Sequence, residues 1–292
     1  MAVECMTINF DIKKRLPLVF IFLVLVAGLA VMGYPVVSNW IQEYTASVEI
    51  ADYNAYVEEE DTSAMDAMIE DAKKYNELLS GRGLSEGTSV VSYDELLAVT
   101  DAIGYIEIPK IGIYIPIYHG ISDEVLQKGI GHMPETSLPV GGESTHSVLS
   151  GHTGLPAAKL FTDLDQMKEG DKFYIHVLNQ VLAYQVDQIK VVLPHETEDI
   201  MIQEGEDYVT LLTCTPYGIN SHRLLVRGIR VPHSPEKVEV QAPVDTETQQ
   251  IVPLKKLVWY AAITAGAILM VVILLILFTP ERKTKKGEDE VS

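Results

Sequence analysis

Two apolar segments bracket this chain and limit what lies between them. LPLVFIFLVLVAGLAVMGYPVV covers residues 16–37 and LVWYAAITAGAILMVVILLILF covers residues 257–278. Each has 22 residues, and at about 1.5 Å per residue a helix of that length reaches roughly 33 Å, enough to cross a bilayer core. Lys13, Lys14 and Arg15 precede the first, and Arg282, Lys283, Lys285 and Lys286 follow the second. Basic residues at both outer ends predict cytoplasmic termini, 1–15 and 279–292, with residues 38–256 on the far side. A cleaved signal peptide would share the basic start. However, 22 apolar residues exceed a usual signal core, and Pro35-Val36-Val37 offers no small-x-small cleavage site, so an uncleaved anchor is expected.

This arrangement separates the two cysteines. Cys5 stays inside and Cys214 stands alone outside, which excludes a disulfide framework and a cysteine-rich metal site. The charge is equally uneven. The whole chain carries −19; residues 1–37 contribute +1 and residues 279–292 balance, so the exported part carries −20. Such a surface argues against nucleic acid, which needs a basic face, and serves to keep an exported domain soluble.

Periodicity divides the exported part further. Within the helical segment 38–80, Met65, Met68, Ile69, Ala72, Tyr75 and Leu79 recur at steps of three and four, and Ser63 with Asp66 resembles a capping box. SGRGLSEGTSVVS, residues 80–92, is a Gly- and Ser-rich connection. From 103 to 232 the period becomes two. Strands are expected at 103–108, 113–118, 147–150, 172–178, 181–193, 207–214 and 222–231, with a hairpin turn at Asn179-Gln180 and one helix at 156–168. Many short strands with few helices predict a mainly β fold, a closed or nearly closed barrel over 103–232, preceded by a helical and connecting segment over 38–102. Residues 233–256, rich in proline and polar residues, form a tether.

The chemistry concentrates in TLLTCTPYGINSHRLLVRGIR, residues 210–230. Cys214 ends an apolar β-rich run, and Arg223 opens the returning strand nine residues later. A free thiol is often a small buried hydrophobe. An exported thiol without a disulfide partner is an oxidation liability, which favours a nucleophile. Arg223 and Arg227 share a face of a regular strand; ion pairing with the acidic surface is their plain role, while Arg223 lies nearer the turn and can hold developing negative charge. Eight histidines, 119, 132, 146, 152, 176, 195, 222 and 233, compete to serve the thiol. His152 has the best setting, between the run SVLSG and the loop TGLP. His222 is closer in sequence but points away if Arg223 faces Cys214. His132, in GHMPETS, is the third candidate.

These motifs resemble the sortase family. Thr210-Leu211-Leu212-Thr213-Cys214 matches its TLxTC pattern, Arg223 falls at its arginine, SGHTGLP matches its histidine segment, and YIEIPKIGIYIPIYHG resembles the start of its domain. The likeness runs from about Tyr105 to Val231. The helices before the barrel, TPYGINSHRLLVRG and the C-terminal anchor resemble class C sortases, which polymerise pilins. The resemblance implies a sortase β-barrel between two transmembrane helices, with His152, Cys214 and Arg223 catalytic and Thr213 shaping the substrate groove. It also implies transpeptidation at an LPXTG-like sorting signal, the acyl group passing to a pilin lysine or a cell-wall precursor amine outside a Gram-positive-type cell, with no metal or organic cofactor. One feature departs from class C: residues 80–92 carry no Asp-Pro-aromatic lid anchor, which predicts a loosely held cover with Tyr93 as the nearest substitute anchor. A housekeeping wall-anchoring sortase, a hydrolytic thiol protease and a non-catalytic peptide-binding scaffold are the rival readings.

Overall fold

The computed structural model describes residues 12–81, 91–155, 158–233, 263, 265–266 and 268–274. The chain divides into two compact units, Met1–Tyr34 with Asp245–Ser292, and Pro35–Val244. In the first unit, Leu16, Phe20, Ile21, Val24, Leu25 and Leu29 turn their side chains outward. Their helix is the one, among the described residues, long and apolar enough to cross a membrane. The described residues of the second predicted span are helical; most of that segment and of the 233–256 tether lies outside the described residues.

The second unit is a closed eight-stranded barrel with helices against it. The elements named along the chain are α1 (Ile12–Glu59), which belongs to the second unit from Pro35 onward, α2 (Thr62–Leu79), β1 (Ala102–Ile108), β2 (Ile113–His119), α3 (Asp123–Lys128), β3 (Ile130–His132), β4 (Thr145–Ser150), β5 (Lys172–Val177), β6 (Gln180–Val192), β7 (Asp207–Thr215) and β8 (His222–Val231). Around the barrel the order is β1-β2-β3-β4-β7-β8-β6-β5. The pairs β2–β3 and β4–β7 are parallel and the rest antiparallel. Strand alternation sorts the side chains: Leu149, Val209, Leu211 and Val226 enter the core with Ile106, Ile117 and Phe173. The intervening residues Thr210, Leu212 and Cys214 share the opposite face of β7.

Both helices are fixed to the barrel by buried polar groups as well as apolar area. On α1, the Tyr53 hydroxyl donates to the Ile103 carbonyl (3.2 Å) and accepts from the Leu178 N–H (2.8 Å). On α2, Met65, Ile69 and Ala72 join the core. One turn on, the buried Asn76 amide makes a reciprocal pair with Leu138, donating to its carbonyl at 3.0 Å and accepting from its N–H at 2.7 Å. Each bond satisfies a backbone group that burial would otherwise orphan.

Several local expectations change. The cap of α2 is Asp61, whose carboxylate accepts from the Ser63 N–H, rather than the Ser63–Asp66 pair. The β5–β6 turn is Leu178–Asn179, because Val177 pairs with Gln180. The predicted 156–168 helix is instead, over its described residues, a run of turns with a 3-10 segment at Leu164–Gln166. Leu160, Phe161, Leu164 and Met167 are nonetheless all buried. Their three- and four-residue spacing reports burial, not backbone. The elements α3 and β3 were not anticipated.

Candidate active site

Three adjacent strand ends bring the candidate residues together. Cys214 on β7 is directly opposite Arg223 on β8, and Thr215 is opposite His222. Directly paired residues in an antiparallel ladder place their Cβ atoms about 4.5–5.5 Å apart on one face. His222 therefore falls on the other face, where its Nδ1 meets the Ser221 hydroxyl at 2.9 Å. The Arg223 guanidinium is held by the turn beside it, its Nη1 donating to the carbonyls of Asn220 (3.2 Å) and His222 (3.0 Å).

His152 arrives from the other side. β4 runs parallel to β7 with Ser150 level with Leu212. The Gly151 N–H then donates to the Leu212 carbonyl at 3.0 Å, and the Thr213 hydroxyl donates to the Gly151 carbonyl at 2.7 Å. His152 is the next residue of this loop, two past Ser150. Its own carbonyl accepts from the Phe161 N–H at 3.1 Å. The approach is tight: a Cβ on Gly151 would lie 2.7 Å from both the Phe161 ring and Ile130, so only glycine lets this loop lie so low. Thr213, expected in the groove, is buried with its hydroxyl committed to the His152 loop. Cys214 and His152 are both partly exposed.

Three of the other histidines have settled structural partners. His132 is fully buried, its Nε2–H donating to the Ser137 carbonyl (2.8 Å) and its Nδ1 accepting from the Tyr93 hydroxyl (2.8 Å). Burial pulls its pKa down to about 4, which keeps the ring neutral. His146 bonds the Met201 carbonyl and the Thr210 hydroxyl, and burial lowers its pKa too. His176 stacks on Tyr105 and pairs with Glu107. The structure thus leaves His132, the third candidate, away from the thiol and inside the protein. Arg227 takes the plain role foreseen for it. It grips Asp187, displaced by a bulge in β6, through two bonds of 3.1 and 2.6 Å and covers the Tyr208 ring.

Tyr93 bonds His132 and the Gly120 N–H and packs edge-on against His119. The cover expected over 80–92 lies mostly outside the described residues. A cavity of about 850 Å³ opens between the end of α2, the β3–β4 loop and the β6–β7 loop, lined by Leu79, Met133, Thr136, His146 and Met201. Neither Cys214, His152 nor Arg223 borders it. The thiol decides where the chemistry is: Glu135, His146 and Glu204 border this cavity, but no cysteine does. Among the described residues no group of three or more His, Cys, Asp and Glu is placed to hold a metal ion. A half-exposed thiol, an imidazole and a fixed guanidinium at three neighbouring strand ends suit nucleophilic attack on a carbonyl, with proton transfer and stabilisation of the resulting oxyanion. Sequence reasoning missed Tyr217, whose ring lies over Gly154 in the His152 loop; its only advance signal is its place three residues after the thiol.

This chain is similar to known proteins. The family described as the sortase domain matches residues 106–231. Sortase C of Streptococcus pneumoniae is 51% identical, over 63% of this chain and 96% of that one, with a TM-score of 0.58. Sortase C1 of Streptococcus agalactiae is 48% identical, over 64% and 99%, with a TM-score of 0.60. Sortase A of Streptococcus agalactiae serotype III is 34% identical over 116 residues, 39% of this chain and 47% of that protein. Sortase D of Bacillus subtilis is 30% identical over 133 residues and is spanned to 64% of its length. The chain thus spans about half to two thirds of the length of these two curated relatives, and nearly all of the solved chains. With the barrel, the TLLTC strand and these likenesses in place, the chain belongs to the sortase family and is most like its class C members.

Proposed function

We propose that this protein is a membrane-tethered cysteine transpeptidase that joins sorting-signal proteins to an amine, most fittingly a pilin lysine. One observation supports the reading: Cys214 is paired with Arg223 across β7 and β8, and hydrogen bonds from Gly151 to Leu212 and from Thr213 to Gly151 hold the His152 loop beside the end of β7. The Cys214 thiolate attacks the Thr–Gly carbonyl of an LPXTG-like signal, and Arg223 holds the oxygen as charge develops. His152 protonates the departing glycine amine, leaving the acyl group on sulfur as a thioester. His152 then takes a proton from the incoming amine as nitrogen attacks that thioester and frees the thiol. Thr213 contributes by fixing the Gly151–His152 loop.

The pilin preference rests on the class C likeness. The structure of the pneumococcal relative is described with its pilin substrate specificity, and identity to the class C chains, near 50%, exceeds the 34% to a sortase A. In this reading both apolar segments span the membrane, 103–232 is the catalytic domain, 233–256 is its tether, and catalysis takes place outside the cell. The full chain in detergent, given a Leu-Pro-X-Thr-Gly peptide and a lysine-bearing peptide, should yield the ligated product, and Cys214→Ala should yield none. Hydrolysis without ligation would identify a protease, and binding without turnover a scaffold.

A further inference from the structure

Three residues beyond the thiol, Tyr217 lies on the turn between β7 and β8. Its side chain is 69% exposed, yet it is not idle. A Cβ built on Gly154 would meet Tyr217 Cε2 at 2.9 Å, Cζ at 3.1 Å and Cδ2 at 3.3 Å, so the ring rests directly on that glycine. Gly154 is two residues after His152 and has φ +70°, a conformation suited to glycine. Behind it, the Gly154 N–H donates to the Thr162 hydroxyl at 3.1 Å. The His152 loop is therefore held between Thr162 on one side and the Tyr217 ring on the other.

The turn that presents Tyr217 is itself fixed. The N–H groups of Ile219 and Asn220 both donate to the Pro216 carbonyl, at 3.0 and 2.9 Å. The Asn220 carbonyl in turn accepts from Arg223 Nη1. One short turn thus touches the cation through Asn220 and the histidine loop through Tyr217, with Cys214 at its base. We propose that Tyr217 is a positioning residue, its ring on Gly154 holding His152 in place relative to Cys214 and Arg223. The inference rests on the assignment of His152 as the acid and base. A ring so exposed contributes little buried area, so its removal should disturb geometry far more than stability. Displacement of a reacting group by about 1 Å can cost on the order of 100-fold in rate.

The test is a double-mutant cycle on the full chain in detergent, using the same two peptides. Tyr217→Ala should lower kcat for ligation about 10- to 100-fold, with KM for the sorting peptide little changed and the melting temperature held. Tyr217→Phe, which keeps the ring, should retain wild-type rates. In a His152→Ala background, Tyr217→Ala should cost nothing further, because the group it positions is gone. Tyr217→Leu, which keeps an apolar side chain but no ring, should reproduce the loss if Tyr217→Ala proves hard to fold. An equal loss from Tyr217→Ala in both backgrounds, or a loss confined to KM, would overturn the proposal and make Tyr217 a substrate contact. An unchanged kcat in Tyr217→Ala would overturn it too. Full activity in His152→Ala alone would instead remove the acid–base assignment beneath it.

Discussion

Acidification from pH 7.5 to pH 4.5 should weaken the barrel through His132. The ring is fully buried, between Tyr93 and the Ser137 carbonyl. Burial holds its pKa at about 4, against 6.5 for a free imidazole. A folded-state pKa below the unfolded one means that the unfolded chain binds the proton more readily throughout this window. Stability is therefore complete above about pH 6.5 and drains away as the pH falls towards 4. Linkage puts the loss from this one ring at about 2–3 kcal/mol at pH 4.5. His119 and His146 are shifted in the same direction by burial, so the whole protein should lose more than that. Urea unfolding of the Pro35–Val244 unit, followed by far-UV circular dichroism at both pH values, isolates the His132 share. The fall in stability should be about 2–3 kcal/mol smaller in His132→Asn than in the parent. Equal falls in the two proteins would refute the reasoning. So would ring resonances of His132 that titrate near pH 6.5 in the parent.

Other consequences can be measured separately. Tyr53→Phe strips partners from the buried Ile103 carbonyl and Leu178 N–H and should cost about 2–4 kcal/mol; a melting temperature unchanged within error would show that α1 is not held this way. Asn76→Ala removes both Leu138 bonds and should cost a similar amount, with faster hydrogen exchange at the Leu138 amide; unaltered exchange there would contradict the clamp. His152→Ala should lower ligation at least about 100-fold and His222→Ala much less. The reverse ranking would undo the face assignment of β8, and with it the role given to Arg223.

What was legible in the sequence follows the range of the interactions. The β7–β8 hairpin is local, so alternation and the run TLLTC sufficed to place Arg223 opposite Cys214, and β8 was foreseen with its observed bounds. His152 was picked out by its strand-end setting and matched by the family motif, but its place beside β7 depends on the parallel β4–β7 pair, which joins residues about sixty positions apart and which no spacing rule signals. The three-residue β3 and six-residue α3 are too short for a periodic pattern. His132 looked like a loop candidate in sequence, and only its parallel pairing beside β2 takes it into the interior. The 156–168 stretch shows the converse failure: its apolar spacing located the buried side chains, but turns can bury them as well as a helix does. Tyr217 and Gly154 meet across two loops, and neither residue type announces the contact.

The central claim is that Cys214 carries the acyl group between substrate and acceptor. Intact-protein mass spectrometry after mixing the full chain with a Leu-Pro-X-Thr-Gly peptide, in the absence of any added amine, tests it most directly. The protein should gain the mass of the peptide truncated after threonine, localised to Cys214 by digestion and released by hydroxylamine. The adduct should be absent from Cys214→Ala, and adding the lysine-bearing peptide should discharge it into ligated product. Turnover with no adduct at Cys214, or an adduct that persists in Cys214→Ala, would contradict the account.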